Sequence, residues 1–280
     1  LLEIWFDYRK NIVIWSQEKK GFMKYLYKAL TLGATDISAP ALHFDDRVGR
    51  FITIVGVPSA FLLHGYVGFI FGSIKANPWW SSVLMPIVFL FSAIVSGIAM
   101  VGLIYMVTSM IRWKAPDMAC LNKLASFLLY AMLIDFSLET LDFIHRLYES
   151  QESIHILSDL IQNRLFVTLI VSQVIFGTLM PIFGVIIGRF CGLPDELRRM
   201  IYFLSMVLVQ VGIFSMRWNV VIGGQLFSKS LRGLTIYKTQ VLGLEGLLMS
   251  FFLIGLPFVI LFVLIKVLPP WGEEHETKKI

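Results

Sequence analysis

HGYVGFIFGSIKANPWWSSVLMPIVFLFSAIVSG, residues 64–97, decides the fold. It reads as the end of one apolar helix, a tight polar turn and the start of a second helix. His64 lies in the first helix. Lys75, Asn77, Pro78, Trp79 and Trp80 make the turn. The second helix opens at Pro86 and carries Ser92, Ser96 and Gly97. Both flanking runs are long enough to cross roughly 30 Å of hydrocarbon. Polar groups at that depth are expensive, so each is a candidate for function.

The rest of the chain has the same character. Of its 280 residues 57% are hydrophobic and 15% charged, with mean hydropathy +0.76. A soluble domain of this length carries about a quarter charged residues. An outer-membrane barrel would instead show short alternating segments. The expected fold class is all-α, a polytopic transmembrane helix bundle with six full spans. The spans are A (48–74), B (83–111), C (121–147), D (164–189), E (198–221) and F (243–267).

Residues 1–10, LLEIWFDYRK, look like the end of an earlier transmembrane helix. Residues 11–47 read as a basic cytoplasmic connection, with an amphipathic helix near 17–32 and a loop through SAPALHFDD. Residues 48–147 hold spans A to C and 164–268 hold D to F. Between them, in 148–163, Ile154, Leu157, Leu160 and Ile161 share one face, which suits an outer interfacial segment. Residues 269–280 form a charged tail.

Lysine and arginine set the orientation. Seventeen fall on the side of the N-terminal connection, the B–C and D–E loops and the tail, against seven on the other side. The richer side should be cytoplasmic, which puts the C-terminus inside and the PWW turn outside. Its tryptophans then suit an interfacial belt. The net charge of +5 is therefore no nucleic-acid footprint. Cys120 and Cys191 lack any CxxC context and give no iron–sulfur, zinc or covalent haem signature.

Several constellations could carry chemistry. His64 follows Pro58 by six residues and precedes a Gly68–Gly72 pair that permits close helix contact. Helical spacing puts Lys75 on the same face. A neutral imidazole can bond a quinol oxygen and accept its proton; the plain alternative is a histidine satisfied by a neighbouring helix. In span C, Asp135, Glu139, Asp142 and Arg146 fall in one stripe about 60° wide at 3.6 residues per turn. Three carboxylates on one face cannot all stay ionised cheaply, which is what a proton relay needs. The alternatives are an ion-pair seam against another helix and a stripe that merely reaches the outer interface. RWNVVIGGQ (217–225) puts Arg217, Asn219 and Gln225 near the outer end of E, with Gly223-Gly224 read as a helix stop. Pro181 and Pro257 are expected to kink D and F. A bis-His haem is not expected, because only His64 lies deep.

The run P-x5-HG-x6-GS, then NPWWSS-x2-MP-x3-LFSAIVSGIA, resembles the NrfD/PsrC (polysulfide reductase membrane subunit) family, in its HybB/DsrP-like branch and nearest DsrP. RWNVVIGGQ is similar to the same family. Asn77, Pro78, Trp79, Pro86, Ser92, Gly97, Arg217, Asn219 and Gln225 carry the motif. The resemblance implies a fragment of a roughly ten-helix protein in which A completes the first bundle. It implies a multi-pass inner-membrane subunit that binds a quinone, expected to be menaquinone, without haem or metal of its own. Such a subunit is not catalytically complete alone. It exchanges electrons with a ferredoxin-like four-cluster iron–sulfur partner. In the sulfur-metabolism branch a multihaem cytochrome c, a cytochrome b membrane subunit and an HdrD-like iron–sulfur protein join the complex. His64, Tyr66 and Lys75 become candidates for the quinone site. Asp135, Glu139, Asp142 and Arg146 become candidates for a proton path. The competing classes are a secondary transporter or ion pathway, for which no inverted repeat is visible, and a purely structural anchor.

Overall fold

The computed structural model describes residues 2–149, 154–228, 233–236, 240–243 and 246–269. Among them there is no strand, only an isolated bridge between Phe227 and Leu234. The helices are α1 (Leu2–Glu18), α2 (Phe22–Leu30), α3 (Ala39–Gly72), α4 (Met85–Ile111), α5 (Met118–Glu149), α6 (Ile154–Asp159), α7 (Met180–Phe190), α8 (Asp195–Gln225) and α9 (Leu247–Val267). Two π-helical stretches, π1 (Leu160–Arg164) and π2 (Phe166–Leu179), lead into α7. Six helical segments are long and apolar enough to cross a membrane, as the sequence predicts: α3, α4, α5, π2 with α7, α8 and α9. The chain is an all-α polytopic bundle.

Residues 1–59 and 238–280 form one compact unit and 60–237 another. In the first, α1 does not end at residue 10 but continues to Glu18. The chain breaks at Gly21, whose φ of +69° favours a glycine, and α2 follows. The expected loop through SAPALHFDD is helical, because α3 starts at Ala39. Pro40 is tolerated in a first helical turn, whose N–H groups lack intrahelical partners. Asp45 in that segment is buried against Arg9, which donates to it through Nε at 2.6 Å and to the Asp36 carbonyl at 2.8 Å. That pair holds residues 39–47 in register with α1. Tyr27 of α2 donates to the Val267 carbonyl of α9 at 2.8 Å. Of the tail, only Pro269 falls within the described residues.

The second unit carries the core. Val95, Ala99, Leu128, Met132, Val185, Tyr202 and Met206 pack where α4, α5, α7 and α8 meet. Near the other end, α6 and π1 turn Leu157 and Leu160 against Trp79, Leu165, Leu169 and Ile222. Of the apolar face of 154–161, Leu157 and Leu160 are buried against protein, while Ile154 is 42% exposed. Span D also differs from its expected single kinked α-helix. From Phe166 to Leu179 it winds as a π-helix, with the Met180 N–H reaching the Ile175 carbonyl. Pro181, which has no N–H to give, falls at the first turn of α7 where that winding stops.

π2 and α8 approach closely where Gly177 and Gly212 meet backbone to backbone. A methyl group on either would overlap the backbone of the other helix, whereas one on Gly97 would meet nothing within 4 Å. Gly177→Ala should therefore destabilise the bundle by about 1–3 kcal/mol, seen as a lower unfolding midpoint in detergent. Gly97→Ala should hold or raise that midpoint. An unchanged midpoint for Gly177→Ala would contradict the contact.

Candidate functional site

The NPWW turn does not sit loosely at an interface. Asn77 Nδ2 donates to the Gly224 carbonyl at 2.8 Å, Trp79 Nε1 to the Asn219 carbonyl at 2.8 Å, and Trp80 Nε1 to the Val220 carbonyl at 2.6 Å. Trp79 is 2% exposed and Trp80 is half-buried, so these rings are packing anchors rather than a lipid-facing belt. The carbonyls have a second lone pair to offer while the helix continues. Gly223 and Gly224 are therefore not the expected helix stop: α8 runs through them to Gln225. A Cβ on Gly223 would stand 2.5 Å from Trp79 Nε1, and one on Gly224 would enter the Trp80 ring. The glycines make room for the indoles. From α3, Gly68 meets the Met85 carbonyl and Gly72 the Ser82 carbonyl, as a Gly-x3-Gly pair allows.

The acid stripe of α5 faces this turn. Asp142 is 3% exposed; it pairs with Arg146 one turn away and accepts from the Ser82 hydroxyl. Arg146 Nη1 also donates to the Trp79 carbonyl at 2.8 Å, and its guanidinium stands 5.2 Å from the Trp79 ring centre. A second polar chain starts one turn deeper. Glu139 accepts from Gln173 Nε2 at 3.1 Å, and Gln173 Oε1 accepts from Asn219 Nδ2 at 2.9 Å. Asp135 is 5% exposed, and its Oδ1 accepts no hydrogen bond among the described residues. Arg217 is the cation in electrostatic reach of both Asp135 and Glu139. It is anchored on α4 by bonds to Ser92 Oγ (2.9 Å) and the Phe89 carbonyl (3.2 Å), over the Phe89 ring.

Between these groups lies a cavity of about 260 Å³. Glu139, Asp142, Arg146, Gln173 and Asn219 supply its polar wall, and Trp79, Val88, Phe143, Leu169 and Met216 are among its apolar lining. A water needs roughly 10–15 Å³ of such space, so there is room for several. The Asn219 Oδ1, buried and without a hydrogen-bond donor among the described residues, belongs to a residue of this wall. The arrangement holds an ordered Asn219–Gln173–Glu139 hydrogen-bond chain inside an apolar span, ending on one carboxylate.

The structure brings Asp135, Glu139, Asp142 and Arg146 together on one face. Asp142 pairs with Arg146 within α5 itself rather than with another helix, and Glu139 and Asp135 lie outside that pair. Among the motif residues, Asn77, Trp79, Ser92, Arg217 and Asn219 knit this region. Pro86 starts α4 and Pro78 shapes the turn. Gly97 and Gln225 are exposed. The quinone candidates lie elsewhere and do not form one group. His64 is half-buried on α3, and its Nδ1 sits 2.9 Å from the Ala60 carbonyl of its own helix, leaving Nε2 available. Tyr66, two residues on, projects to a different side and is 62% exposed. Lys75 is exposed beyond the end of α3 at Gly72, so helical spacing from His64 no longer governs it. Sequence reasoning passed over Ser82 and Gln173. Gln173 had a signal, being the one long polar side chain within the apolar run from Phe166 to Gly188.

Fold and site together define a multi-pass helical membrane protein with an acid-lined cavity inside its spans. The family model described as polysulphide reductase, NrfD, matches residues 12–229, and the chain belongs to that family. It is also similar to a selenate reductase subunit of Mesobacillus selenatarsenatis, with 27% identity across 98% of this chain and 65% of the relative. The chain therefore spans less than two thirds of that relative's length.

The two acids should respond differently to substitution. Asp142→Ala strands the Arg146 guanidinium and should cost about 3–5 kcal/mol. Glu139→Gln keeps an acceptor for Gln173 and should leave the unfolding midpoint in detergent within a degree or two. Equal losses from both would make the whole stripe structural.

Proposed function

We propose that the chain is the quinone-reactive membrane subunit of a multisubunit reductase complex of the cytoplasmic membrane. Electrons pass between the quinone pool, menaquinone by expectation, and a four-cluster iron–sulfur partner. Quinol oxidation releases two protons with its two electrons, and the reverse reaction takes both up. Membership of the NrfD family supports the coarse class. The name of the relative, a selenate reductase subunit, supports a complex that acts on a chalcogen compound, in line with the sulfur-type reading. The positive-inside asymmetry supports a cytoplasmic C-terminus.

The observation that carries the proton half is the Glu139–Gln173–Asn219 chain beside the cavity. A carboxylate in an apolar span is costly, and such residues mark proton or ion paths. Glu139 is the proton-holding group, Gln173 and Asn219 orient it, and Asp135 extends the path one turn along α5. Arg146 and Asp142 close the end of the cavity beneath the NPWW turn and fix its shape. His64, through its available Nε2, is the group for a quinone oxygen.

In membranes holding the assembled complex, His64→Ala should lower quinol-dependent electron transfer at least tenfold while the subunits still co-purify. Glu139→Gln should lower the protons moved per electron and spare the apparent affinity for quinol. Unchanged electron transfer in His64→Ala would remove the quinone assignment. Substrate flux in vesicles without redox partners would favour a transporter.

A further inference from the structure

The opposite end of the bundle carries a second built cluster that neither the cavity nor the quinone reading uses. It lies where α5 and α8 begin and α7 ends. Arg189, in the last turn of α7, donates through Nε to Ser126 Oγ of α5 at 3.3 Å. Arg198, in the first turn of α8, reaches Asn122 Oδ1 through Nη1 at 3.5 Å and the Leu193 carbonyl through Nη2 at 2.8 Å. The Tyr202 hydroxyl donates to the same Asn122 oxygen at 3.0 Å. Both guanidiniums lie within electrostatic reach of that hydroxyl. Lys123 adds an exposed cation beside Asn122.

Carboxylate compensation is thin. Among the described residues Arg198 has one carboxylate partner, Asp195, at 3.7 Å and with its side chain 61% exposed. The terminal nitrogens of Arg189 bond no described residue, and Arg198 Nε is buried without an acceptor. A pair of half-used guanidiniums is a recognition element for a phosphate, to which each can present paired N–H donors. The depth identifies which phosphate. All three helix ends lie at one edge of the apolar spans, where a headgroup sits. One and two turns from Ser126 towards the middle of α5, Tyr130 and Leu133 share its face and are 64% and 45% exposed, an apolar lane for an acyl chain.

We propose that this cluster binds the phosphate of an anionic phospholipid, with Arg189 as the principal contact and Arg198 held behind it by Asn122. It is at the end of the bundle that the charge count assigns to the cytoplasm, where anionic lipid attracts basic side chains by about fivefold in affinity per cation. The site stands independently of the proposed redox role.

The test is native mass spectrometry of the purified protein with whatever subunits accompany it. It is titrated in detergent with phosphatidylglycerol or with phosphatidylcholine, and separately with inorganic phosphate. Two cations predict a preference for phosphatidylglycerol on the order of 25-fold. Arg189→Gln should reduce it to about fivefold, and Arg189→Lys should restore most of it. Arg189 is exposed, so an unchanged unfolding midpoint in Arg189→Gln separates lost binding from lost folding. No preference in the native protein, or the same preference in Arg189→Gln, overturns the site. Displacement of the lipid by millimolar inorganic phosphate overturns the lipid assignment and makes it a free-anion site.

Discussion

The bundle around the cavity depends on how the NPWW turn is seated. Two indole N–H groups and one side-chain amide donate to three carbonyls in the last turns of α8. The carbonyl of Trp79 then takes the Arg146 guanidinium of α5. In hydrocarbon each of these groups would be costly to leave unsatisfied. One turn thereby ties α4, α5 and α8 into a fixed spacing, and the cavity is the space that spacing leaves. Gly223 and Gly224 are the condition for it, because any side chain there would displace an indole.

The polar groups within the spans divide by how fully they are used. Asp142, Arg146 and Ser82 satisfy one another and hold position. Arg217 is tied to Ser92 and lies over Phe89. Glu139 and Asp135 have no cation within salt-bridge distance among the described residues, and Asn219 keeps an acceptor without a donor. A structural seam would be expected to pair all its members, since a half-satisfied buried network is worse than an apolar one. On the proposed function, the incomplete half is where protons are held and passed.

Much of the fold was legible. Six apolar runs in the sequence became six spans, because length and hydropathy alone decide a membrane crossing. The acid stripe was legible too, since 4, 3 and 4 spacing fixes one helical face whatever the partner. Other features were not. The GG pair reads locally as a stop, and only the arrival of Trp79 and Trp80 from a distant turn reveals its use. SAPALHFDD looks like a loop until Arg9 buries Asp45. The π winding of Phe166–Leu179 has no local sequence signature, although Gln173 within it stands out as an isolated amide. Lys75 was placed by extending a helix that ends at Gly72.

The central claim is that Glu139 takes and gives a proton when the complex turns over. An infrared difference spectrum between the quinone-oxidised and quinol-reduced complex reads this directly. The account predicts a protonated-carboxyl C=O band that changes with redox state, shifts on deuteration and is absent in Glu139→Gln. A spectrum without that band, or one that persists unaltered in Glu139→Gln, would contradict it.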